Sequence, residues 1–142
     1  MVGSNSGLAT SFTGDDNSGV GYAVLRNLTS GSDNSCIGGL SGRNLNTGSG
    51  HVMVGYEAGF GMTNGSNHTF IGNGAGYNGT STNYSGSNCT AVGYNAVPSS
   101  STVNNEITLG DSNIATLRCN VTTISSLSDQ RDKTNIEDIG YG

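Results

Sequence analysis

The 142-residue chain reads as an all-β fold, a repetitive β-solenoid or β-roll with coils of about 17 residues. Three observations predict it. An aliphatic-glycine pair recurs down the chain, at Val2-Gly3, Val20-Gly21, Ile37-Gly38, Val54-Gly55, Ile71-Gly72, Val92-Gly93 and Leu109-Gly110, with glycine spacings of 18, 17, 17, 17, 21 and 17. The residues before each pair alternate with period two, as in His51-Val52-Met53-Val54-Gly55. Large apolar residues are also scarce: Leu, Ile, Val and Phe number 27 of 142, against 77 for Gly, Ser, Asn and Thr. A thick core is out of reach for such a chain. A narrow core repeated coil upon coil is not.

Each coil can be built in order around its landmark glycine. Seven places before it stand Gly14, Gly31, Gly48, Gly65 and Gly86, and five before it Asp16, Asp33, Gly50, Asn67, Asn88 and Asn105. This Gly-x-Asp/Asn pattern supplies a turn, because these residues tolerate positive φ. The alternating strand follows. Val20, Ile37, Val54, Ile71, Val92 and Leu109, next to the landmark, are expected to point inward and stack as the structural core. Three places past the glycine the residues are mostly small (Ser6, Val24, Ser41, Ala58, Ala75, Ala96). Seven places past it, Leu28, Leu45 and Met62 predict a second inward row. A unit this short suits two short strands and two turns. The four extra residues between Gly72 and Gly93 are expected in a lengthened loop near Asn78–Asn83, since solenoid insertions go to loops.

Composition excludes several functions. Four Arg and one Lys cannot make a basic stripe, so nucleic acid is not an expected partner. No apolar run approaches the ~18 residues of a membrane span, so membrane insertion is not expected, and MVGSNSGLAT does not open like a signal peptide. Cys36, Cys89 and Cys119 lack metal-ligand spacing and read as small apolar residues. His51 and His68 occupy one position in neighbouring coils and are expected to form an exposed ladder; two histidines do not make a metal site. No metal and no cofactor is expected.

A lone thin coil leaves strand edges open and a face incompletely buried, which association would cover. The residues two before each landmark (Gly19, Cys36, Met53, Phe70, Ala91, Thr108) are expected to face outward, making Met53 and Phe70 interface candidates.

The segments Thr90-Ala91-Val92-Gly93-Tyr94-Asn95-Ala96 and His51-Val52-Met53-Val54-Gly55-Tyr56-Glu57-Ala58-Gly59 resemble the repeats of phage tail-fibre and spike proteins, and are similar to the head repeats of trimeric autotransporter adhesins. The resemblance covers roughly residues 1–114, the β-solenoid repeat domain. It implies a homotrimer, with three parallel β-rolls packed around a threefold axis.

Beyond Gly110 the glycines thin out. Residues 115–127 form a terminal segment in which Thr116–Ile124 alternates like a last strand. Residues 129–138 then hold six of the fifteen formal charges. Ser128-Asp129-Gln130-Arg131-Asp132-Lys133-Thr134-Asn135-Ile136 closely resembles the opening of the intramolecular chaperone autoprocessing domain of phage tailspikes and endosialidases; Asp132 stands where that motif commonly has an apolar residue. The resemblance implies a nucleophile at Ser128, its base at Lys133, and scission before Asp129. Residues 128–142 are too few to form the shell that would lower the lysine pKa, so this stub is not expected to cleave itself, and the chain is not expected to be an enzyme.

The expected function is therefore that of a structural or adhesive bacteriophage fibre or spike protein. It would be a homotrimer in the virion, joined to other virion structural proteins, with a host surface receptor or glycan as its contact. A self-cleaving serine-lysine precursor and a bacterial trimeric adhesin head are the alternatives. A glycan-degrading tailspike would need a groove with paired carboxylates, and the acidic residues here are few.

Overall fold

A computed structural model of the chain describes residues 1–7, 13–77, 79 and 84–118. The fold is all-β, with no helix among the described residues: a parallel β-solenoid of about five turns. Its strands are β1 (Ser18–Val20), β2 (Ser35–Ile37), β3 (Val52–Val54), β4 (Thr69–Ile71), β5 (Thr90–Val92) and β6 (Ile107–Leu109). They pair in chain order as one parallel sheet. Register follows the repeat, so Gly19, Cys36, Met53, Phe70, Ala91 and Thr108 lie side by side. Each coil carries one such strand rather than two. The expected second strand is reduced to isolated bridges joining Ser49, Ser66 and Ser87.

The turns form where the sequence places them. Asp16, Asp33, Gly50, Asn67, Asn88 and Asn105 all adopt positive φ, between 54° and 73°. The landmark glycine turns the chain out of the strand, with φ of 123–138° from Gly3 to Gly93. A Cβ on Gly38, Gly55 or Gly72 would collide with the carbonyl of the next landmark glycine, so stacking at strand spacing demands glycine there.

The inward assignment of the strands is reversed. Val20 (49% exposed), Ile37 (53%), Ile71 (39%), Val92 (38%) and Leu109 (52%) face outward, and Val54 is half-buried. Met53 and Phe70, expected at an interface, are fully buried, as are Cys36 and Ala91. The cause lies four places before each landmark, where Asn34, His51, His68 and Cys89 are buried and hydrogen-bonded inside the coil. Period two puts the residue two places further on the same face, and the aliphatic residue before the glycine on the other. The second inward row is as expected: Leu28, Leu45 and Met62 are fully buried, together with Val24, Ala58, Ala75 and Ala96.

In several coils the size of the inner strand residue is matched by the residue four places past the landmark; Cys36, paired with Gly42, departs from this pattern, its space shared with Leu25 and Met53 of the neighbouring coils. Where the inner strand residue is small, the residue four past the landmark is large, as in Gly19 with Leu25 and Ala91 with Val97. Where it is large, that position is glycine, as in Met53 with Gly59 and Phe70 with Gly76. A Cβ on Gly59 would run into the Met53 sulfur, and one on Gly76 into the Phe70 ring. Tyr84 fills the next coil, edge-on to Phe70 at 6.4 Å between ring centroids.

Candidate functional site

The predicted autoprocessing residues Ser128, Asp129 and Lys133 lie outside the described residues, as do Cys119, Asn78 and residues 80–83 of the expected lengthened loop, and Asn120–Ile124 of the expected last strand. Thr116, Leu117 and Arg118 are exposed and form no strand. Three features remain: an internal polar ladder, an outward aliphatic strip and a polar groove.

The ladder runs through Asn17, Asn34, His51, His68 and Cys89, one residue per coil. Asn17 Oδ1 accepts the Asn34 amide at 3.1 Å, Asn34 Oδ1 the His51 amide at 3.1 Å, His51 Nδ1 the His68 amide at 3.2 Å, and His68 Nδ1 the Cys89 amide at 3.2 Å. The other ends of three of these side chains donate to carbonyls of the neighbouring coil: Asn17 Nδ2 to Gly31 (2.8 Å), Asn34 Nδ2 to Gly48 (3.0 Å) and His68 Nε2 to Gly86 (2.9 Å). His51 Nε2 points toward the Gly65 carbonyl without completing a hydrogen bond. The network fixes His68 as the neutral Nε2–H tautomer, because a carbonyl can only accept and an amide can only donate.

The two imidazoles stack, 5.3 Å between centroids and 4° apart in plane. Stacking is as expected, but the ladder is buried, not exposed: both rings have no solvent-accessible surface. Burial drives the His51 pKa down to about 3, assisted by repulsion from His68. Burial also lowers that of His68, against the opposing hydrogen bonds to Gly86 and Cys89. Among the described residues no three His, Cys, Asp or Glu side chains gather as metal ligands would. Cys36 and Cys89 are buried free thiols, and burial raises the Cys36 pKa to about 12. These groups build the coil; none is presented to a substrate.

The aliphatic strip lies on the outer face of the sheet. Val20, Ile37, Val54, Ile71, Val92 and Leu109 run down it unbroken, flanked on the same face by Val52 (41% exposed) and Ile107 (73%). Beyond the landmark glycine stands an exposed tyrosine row, Tyr22, Tyr56 and Tyr94. An open groove of about 620 Å³ adjoins its C-terminal end, lined by Glu57, Asn73, Tyr77, Tyr94, Asn95 and Asp111 among others. Asp111 accepts the Asn113 amide at 3.0 Å and the Asn113 side chain at 2.9 Å, hydrogen bonds that hold its carboxyl pKa below the usual value. The sequence alone did not single out this groove. The signal for it was the tyrosine recurring one place after alternate landmarks.

No protein-family model, curated protein sequence or solved structure matches this chain.

Proposed function

We propose that the chain is a structural and adhesive fibre or spike protein of a bacteriophage virion, assembled as a parallel homotrimer and contacting the host surface. One observation carries the assembly: six aliphatic side chains in register on the outside of a folded coil. Soluble surfaces scatter their apolar residues singly, and a contiguous row marks a contact. The strip therefore takes the interface role that Met53 and Phe70 do not. The virion setting is supported by the repeat and by the motif from Ser128 to Ile136, which resembles the start of a chaperone autoprocessing domain. A trimer also fits a thin coil, since three strips meeting on one axis leave no apolar face in water.

Native mass spectrometry tests the assembly. A particle of three 14.4 kDa chains is expected, and Ile37→Asp with Ile71→Asp should give a folded single chain. A wild-type monomer at micromolar concentration would overturn the proposal.

A further inference from the structure

The tyrosine row has a period that the coil does not require. One place after successive landmarks the chain reads Tyr22, Gly39, Tyr56, Asn73, Tyr94 and Asp111, so a tyrosine returns at every second coil. The register of β1 to β5 keeps these positions in one column. At strand spacing, two coils are about 10 Å. All three rings are more than half exposed, at 54%, 51% and 64%. The Tyr56 ring leans over the preceding coil, where a Cβ built on Gly39 would sit 3.4 Å from its Cδ2. Core packing explains none of this, because the rings contribute nothing to the interior.

We infer that the Tyr22–Tyr56–Tyr94 row and the groove at its end bind an extended, uncharged β1,4-linked glycan chain lying along the solenoid axis. In such a chain each sugar is flipped relative to the last, so every second pyranose offers the same C–H face to one side. Two sugars span about the length of two coils. Aromatic faces at two-coil intervals therefore meet equivalent faces of alternate sugars, an apolar contact with a polar rim. The groove supplies that rim through Asn73, Asn95, Glu57 and Asp111, which match hydroxyl groups. No lysine or arginine lines it, and its two carboxylates repel polyanions. None of the outward aliphatic residues lines the groove, so the groove and the proposed trimer contact share no residue.

The site holds rather than cuts. Glu57 and Asp111 belong to coils three steps apart, about 14 Å at strand spacing. Paired carboxylates of glycosidases stand only ~5–9.5 Å apart.

This inference rests on the attachment reading for its biological setting and names the ligand class. The test is calorimetric titration of the full chain with β1,4-linked N-acetylglucosamine oligomers of two, four and six sugars, and with the six-sugar glucose chain. Affinity should rise with each added pair of sugars, and Tyr56→Ala and Tyr94→Ala should each weaken the hexamer about tenfold with circular dichroism unchanged. The recovered oligomers should be uncut. Absence of binding by both hexamers, affinity independent of length, or tyrosine variants that bind as the parent does would each overturn the inference. A trimer that ignores glycans would fail this inference alone; a monomer that binds them would fail the trimer alone.

Discussion

The two faces of the same three-residue strands follow opposite rules. Inside, the column reads Gly19, Cys36, Met53, Phe70, Ala91, a range from no side chain to a full ring. Outside, it reads Val20, Ile37, Val54, Ile71, Val92, Leu109, all aliphatic and nearly one size. The bulkiest members of the inner column are each matched by a glycine in their own coil, Met53 by Gly59 and Phe70 by Gly76. The outer column has no partner in its own chain to compensate a change of size. Uniformity thus belongs to the exposed face of the strands and variation to the enclosed one.

That contrast orders the expected effects. The largest belongs to Met53→Asp, which places a carboxylate without a partner in the core, costing on the order of 5 kcal/mol. Thermal melting should find it unfolded or nearly so at 25 °C. Next comes Gly76→Ala. Its added methyl meets the Phe70 ring at a φ of 71°, and we expect a loss of about 3 kcal/mol. Combining it with Phe70→Ala should return much of that loss, because the two positions share one volume; additive losses would break the compensation rule.

Acid is a comparable challenge, applied to the ladder. In the folded chain His51 has its pKa lowered to about 3, against about 6.5 when unfolded. The unfolded chain therefore takes up a proton first as pH falls. Stability is fully present above about pH 6.5 and is lost progressively down to about pH 3, with His68 acting in the same direction. At pH 4 the His51 contribution is a loss of about 3 kcal/mol. Replacing His51 and His68 by asparagine, the residue of the two preceding rungs, should keep the ladder and flatten the melting temperature between pH 7 and pH 4. An equally steep acid loss in that variant would place the sensitivity elsewhere.

Much of this architecture was legible in the sequence. The landmark glycines fixed the coil length, Asp16, Asp33 and their equivalents fixed the turns, and Leu28, Leu45 and Met62 marked one inner row. Which strand face turns inward was not legible from hydrophobicity, since Val and Ile suit either side of a sheet that has water on one face and a thin core on the other. The deciding signals were subtler. Asn34, His51 and His68 share parity with Met53 and Phe70, and from inside the coil their side chains hydrogen-bond the backbone of the next coil. Glycine four places after the landmark accompanies the bulky Met53 and Phe70, as Gly59 and Gly76. The tyrosine period was equally present, but it shows only when alternate coils are compared rather than successive ones.

The smallest effect on folding belongs to the outer face, and it tests the central claim most directly. Circular dichroism melts of Met53→Asp and Val54→Asp, neighbours on one strand with opposite faces, should separate cleanly. Val54→Asp is predicted to keep the β-sheet signal at 25 °C and to cost the coil less than about 1 kcal/mol, its damage confined to assembly. Met53→Asp is predicted to lose the signal. If Val54→Asp unfolds while Met53→Asp stays folded, or if the two melt alike, the assignment of inner and outer faces is wrong.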